Sequence, residues 1–198
     1  MPDKPDLAAL VGSRICHDLI SPIGAIGNGV ELMLMEGSIK GPEMALVTES
    51  VRNASARIRF FRVAFGATGV DQRIGGNEVA GIIADMTQGS RLSIEWVGPN
   101  DLPRRDVKLV FLLILCLETA LPYGGQIAID RSESRWTLQA AAPKMKVDAG
   151  LWNGLIEGSN GAEIGPAQVQ FLLVPDEIAR QHRRLTTELA ETSIRLSF

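Results

Sequence analysis

From Asp6 to Glu36 the chain reads DLAALVGSRICHDLISPIGAIGNGVELMLME, and from Pro42 to Phe65 it reads PEMALVTESVRNASARIRFFRVAF. In the first stretch Ala8, Val11, Ile15, Leu19, Pro22, Ile26, Val30 and Met33 recur at helical spacing. At about 100° per residue they fall in one apolar stripe. In the second, Met44, Val47, Val51, Ala54, Ile58, Phe61 and Phe65 alternate steps of three and four, the seam of a helical bundle. The intervening EGSIKGP, residues 36 to 42, breaks the pattern with two glycines and a proline, and Pro42 suits a first helical turn. So short a loop makes the helices antiparallel neighbours and sets His17 level with about Arg62. Two helices enclose no core alone, and no other part of the chain offers a second hairpin. The sequence therefore predicts a homodimer whose two hairpins form a four-helix bundle.

Outward from this hairpin the texture changes. GATGVDQRIGG, residues 66 to 76, has the glycine content of a linker, which suggests a hairpin domain over 1–68 and a second domain over 69–198. The second part predicts helices near Asn77–Gln88, Pro103–Leu121, Asp148–Glu157 and Pro166–His182. Strands are expected at Arg91–Val97, Gln126–Asp130 and Arg135–Ala141, with a closing hairpin of Leu185–Leu189 and Ser193–Phe198. Helices alternating with antiparallel strands give an α+β chain whose second domain is a sandwich of one sheet and one helical layer. The stretch from Val107 to Leu121 is apolar on nearly every face and should be its buried centre.

Net charge excludes some functions. With 20 basic and 23 acidic residues the balance is −3, and a pI near 5.5 supplies no basic field for a nucleic-acid backbone. The longest apolar run, Leu109 to Leu117, is far too short to span a bilayer, and MPDKPDLAAL lacks a signal-peptide pattern. Cys16 and Cys116 lie in apolar surroundings without metal-type spacing and read as reduced, buried thiols of a cytoplasmic protein.

Of the two histidines, His182 sits in RQHRR, where a surface residue beside the terminal carbonyls of a helix is the plain reading. His17 lies about 200° round the first helix from Ile15, opposite the core stripe. Its neighbours there, Leu10, Ser13, Gly24 and Asn28, are mostly small or polar, so the imidazole should project into solvent. A neutral imidazole nitrogen is a good nucleophile toward phosphorus near pH 7. Asp18 can orient the ring or accept its proton. Pro22 removes one helical hydrogen bond beside the reactive ring. Arg52, Arg57, Arg59 and Arg62 form a basic run with no acidic residue between Glu49 and Asp71, suited to a carboxylate-rich partner.

The string Arg14-Ile-Cys-His-Asp-Leu-Ile-Ser-Pro-Ile-Gly24 resembles the His-Asp/Glu-Leu-x-x-Pro box of dimeric histidine kinases, whose histidine is phosphorylated. Further on, LVFLLILCLETALPYGGQIAI resembles the N-box helix, turn and strand of the GHKL ATP-binding fold. The match is degenerate. The magnesium-binding asparagine falls on Cys116, and the basic residue that usually follows falls on Thr119. The Asp-x-Gly-x-Gly that grips adenine falls on Ala140–Lys146, which has neither residue type. Gly158-Ser-Asn-Gly161, with Gly165 beyond it, matches no phosphate loop and reads as a surface turn.

A hairpin bearing this box, joined to a degenerate GHKL domain, resembles the ChpT-type histidine phosphotransferases of alphaproteobacteria. That resemblance implies a phosphorelay enzyme in which His17 accepts a phosphoryl group from the receiver domain of a hybrid kinase. The group then passes to the receiver aspartate of a response regulator. It implies His17 as the phosphoacceptor and a vestigial second domain that helps to dock receivers. The residues around the box add Asp18 as a second catalytic residue and Arg14, Ser21, Pro22 and Gly24 as residues shaping the site, and the level pairing with the basic run adds Arg59 and Arg62 as docking residues. The chain would bind no cofactor and no ATP, and Mg2+ would come with the receiver. A non-catalytic dimeric scaffold that sequesters receivers is the alternative from another class.

Overall fold

The computed structural model describes residues 6–36, 42–157 and 164–198. Helix α1, Leu7–Glu36, starts where the Asp6 carboxylate accepts hydrogen bonds from the Ala8 and Ala9 amides at 3.0 and 3.1 Å. Helix α2, Pro42–Ala64, packs along it. The helices approach closely at Gly29, where a Cβ would overlap Val47 Cγ2. In the observed register Asp18 meets Arg57 of α2, and the expected level with Arg62 is corrected by about five residues. The turn residues 37–41 lie outside the described residues, as does the Gly158–Gly161 stretch.

The rest of the chain orders as β1 (Arg73–Gly75), α3 (Gly76–Thr87), β2 (Leu92–Val97), β3 (Asp101–Pro103), α4 (Arg104–Ala120), β4 (Gly125–Ser132), β5 (Arg135–Ala141) and α5 (Ala149–Glu157). A 3-10 turn at Pro166–Gln168 follows, then α6 (Gln170–Arg180), β6 (Thr186–Leu189) and β7 (Ser193–Ser197). The main sheet has the order β2-β4-β5-β7-β6. It is mixed, not wholly antiparallel: β2 and β4 run parallel because α4 carries the chain back between them. The expected linker is also partly ordered, since β1 pairs antiparallel with β3. At the α4–β4 turn Gly124 has φ +94°, where a Cβ would overlap the Arg91 backbone, so this tight passage requires glycine.

Helix α4 is the centre, as its all-round apolar sequence implies. Val107 and every residue from Leu109 to Leu117 are buried, among them Phe111 and Cys116. The foot of α2 enters the same cluster: Phe60 stacks on Phe111 with centroids 4.5 Å apart, beside Phe61, Val63 and Ala64. The α/β layer thus covers the lower hairpin, correcting the expectation that only a second hairpin could. Higher up, the predicted α2 seam is half open. Ala54 is buried, whereas Val51 and Ile58 are 46% and 53% exposed. Val30 of the α1 stripe is also exposed. No helix among the described residues is long and apolar enough to cross a membrane.

Candidate functional site

Midway along α1, successive residues point in opposite senses. The His17 side chain is 82% exposed, whereas that of its neighbour Asp18 is only 10% exposed, turned toward α2 and the α/β unit. The two still touch, His17 Nδ1 lying 3.1 Å from Asp18 Oδ1. Asp18 Oδ2 accepts from Arg14 Nε at 2.9 Å, one helical turn back on α1, and from Arg57 Nη1 at 3.4 Å on α2. Two guanidiniums therefore fix a half-buried carboxylate, and its remaining oxygen fixes the ring. With Nδ1 engaged, Nε2 is the nitrogen left facing solvent.

The neighbouring residues divide clearly. Ser21 is exposed and Pro22 half-buried, and both line a cleft of about 360 Å³ between the hairpin and the α3–β2 turn, which Asp18, Asn53 and Arg57 also line. Gly24 is exposed and a Cβ there would meet nothing, so no packing demand explains it. Arg59 is paired with Asp85 at 2.6 Å across to α3. Arg62 is exposed at the end of α2, where its carbonyl accepts from Arg104. Neither reaches His17 or Asp18 as Arg57 does. Cys16 is exposed rather than buried, because it lies one step round the helix from Ile15 and shares the outer side with His17. His182 is exposed just past α6, with φ +52°.

Sequence reading passed over Glu118. It is half-buried near the C-terminal end of α4, in the electrostatic range of Arg57, Arg14 and Asp18. Burial pushes its carboxyl up to about 7. The two arginines pull the value down, and Asp18 adds to the rise. No local motif marks it, because the charges that matter lie on the distant hairpin helices, Arg57 on α2 and Arg14 and Asp18 on α1.

The resemblance of the α4 sequence to an N-box helix implies a magnesium nucleotide, with the metal ligand at position 116. Cys116 is fully buried there, and burial raises its thiol pKa well above the ordinary value. A protonated thiol inside the core is no ligand for a hard cation, and the residues do not fit that group.

Fold and site together define a class: a helical hairpin with a solvent-facing histidine, joined to an α/β sandwich. The model of the histidine phosphotransferase C-terminal domain matches residues 76–193. Protein phosphotransferase ChpT of Brucella abortus (strain 2308) is 43% identical over 126 residues, which is 63% of this chain and 60% of that protein's length. A solved bacterial phosphotransferase superimposes with a TM-score of 0.83 at 32% identity, covering 100% of this chain and 97% of the other. The chain belongs to the histidine phosphotransferase family.

Proposed function

We propose that this chain is a phosphorelay intermediate in which His17 Nε2 takes a phosphoryl group from the aspartyl phosphate of one receiver domain and passes it to the aspartate of another. The observation that carries this reading is the pairing of an 82% exposed ring with a held neighbour, Asp18. In the first transfer the Nε2 lone pair forms the N–P bond while the acyl O–P bond breaks and the receiver carboxylate leaves. The Nδ1 proton stays on the ring throughout and is donated in a hydrogen bond to the Asp18 carboxylate, which stabilises the positive ring as it forms. The second transfer reverses these changes on a different carboxylate. Catalysis is then chiefly positioning, with magnesium held by the receiver and no nucleotide bound by this chain.

A homodimer is part of the proposal. Ile20, Ile23 and Val30 on α1, and Val51 and Ile58 on α2, are exposed at spacings of three or seven. A second copy would cover them as a four-helix bundle. Arg59 and Arg62 lie farther along α2, in place to meet an acidic receiver edge.

Replacing His17 by alanine removes an exposed side chain and should leave fold and assembly unchanged. Labelling from a phosphorylated receiver, acid-labile and base-stable, should disappear. Label surviving in His17→Ala would refute the assignment. Tight receiver binding by a wild-type chain that never carries label would identify the sequestering scaffold instead.

A further inference from the structure

Arg14 makes two contacts that belong to different parts of the molecule. Its Nε donates to Asp18 Oδ2 at 2.9 Å within α1. Its Nη1 donates at 2.5 Å to the backbone carbonyl of Ala167, 153 residues away in the 3-10 turn before α6. That carbonyl is itself held. The Gln170 amide donates to it at 3.1 Å and to the Leu115 carbonyl of α4 at 3.3 Å, and Gln170 is fully buried. One turn farther along α4 stands Glu118, whose charge acts on the same guanidinium. The Arg14 side chain is only 14% exposed, so its conformation is set by these partners rather than by water. A continuous line of hydrogen bonds therefore runs from the core of the α/β unit through Gln170, Ala167 and Arg14 to Asp18 and the His17 ring.

We propose that Arg14 is a positioning residue through which the α/β unit sets the orientation of the reactive imidazole, giving that unit a role in phosphotransfer in place of nucleotide binding. The inference rests on the transfer reading of His17 given above. The planar guanidinium is required because it offers two donors in a fixed fork, one for each unit. A lysine ammonium would keep the charge beside Asp18 but would not hold both acceptors at these angles.

The test compares wild type, Arg14→Lys and Arg14→Ala in single-turnover transfer from a saturating phosphorylated receiver. Receiver affinity and the 15N shifts of the unphosphorylated His17 ring are measured alongside. The expected result is a transfer rate lower by about 10–100-fold in both variants. Receiver Kd should stay within about twofold, because the binding surface is untouched. The ring shifts should move from an Nδ1-protonated imidazole toward the mixed tautomers of a free one. Wild-type transfer in Arg14→Lys, or a loss confined to receiver affinity, would overturn the proposal. If Arg14→Ala does not fold, Arg14→Lys decides alone. Absence of label on wild type would sink the phosphorelay reading, whereas the ring shifts would still report whether Arg14 orients His17.

Discussion

Helices α1 and α4 are both long, and they are held in opposite ways. Helix α4 is surrounded: twelve of its 17 residues are buried, and from Leu109 to Leu117 its sequence shows no polar face to leave outside. Helix α1 runs 30 residues, yet Gly29 is the only residue in it that is fully buried among those described. The difference separates two tasks. A helix packed all round supplies stability and a fixed frame, whereas a helix packed on one side can present a side chain to another protein. His17 occupies the open side of α1, and Asp18 and Arg14 reach back toward the frame.

The strongest challenge to this contrast is a cavity in the frame. Phe111 is fully buried and stacked on Phe60 of the hairpin foot. Phe111→Ala should cost about 3–5 kcal/mol, the range for an aromatic ring lost from a packed core. Because the hairpin foot shares that cluster, thermal unfolding by circular dichroism should remain one transition at a lower midpoint. Two separated transitions would show that the hairpin and the α/β unit are independent.

Val51→Asp probes the open region. Within one chain Val51 is 46% exposed, so an aspartate there leaves the subunit fold almost unstrained. In the proposed bundle it would bury an unpaired charge and its symmetry mate. Light scattering should report half the wild-type mass, with the helical signal of a folded chain retained. A dimer of unchanged affinity would remove the hairpin seam as the interface.

The same contrast explains what the sequence revealed. Helix α4 was legible because a run that is apolar on nearly every side and too short to span a bilayer belongs in a core, and His17 was legible because periodicity placed it opposite Ile15. Register was not. Counting back from the turn paired His17 with Arg62, but the packed helices, in close approach at Gly29, set Arg57 against Asp18 instead. Three-residue strands such as β1 carry too few side chains to show a period, and glycines around Arg73–Gly75 disguised one as a linker. The parallel β2–β4 pair was missed, the strands being expected antiparallel, although the helix between them makes a connection too long for a hairpin. Glu118 and the Arg14–Ala167 contact left no trace, since both depend on chain segments brought together only by the completed fold.

The smallest expected effect lies where frame and open helix meet. In the unfolded chain Glu118 titrates near the ordinary value of about 4.3. In the folded chain burial lifts it to about 7, so between these values the folded state holds the extra proton. Stability from this group is therefore full below the lower value and declines as pH rises through the upper one. Glu118→Gln abolishes that decline. Denaturant midpoints should coincide with wild type near pH 4, and the variant should lead by on the order of 1–3 kcal/mol at pH 8. Charged Glu118 also competes with Asp18 for Arg14 and Arg57, so wild-type transfer should weaken above pH 7 while the glutamine variant holds its rate. A variant whose stability and transfer track wild type at both pH values would show that Glu118 is solvated in the folded protein, and the frame would then touch the site through Arg14 alone.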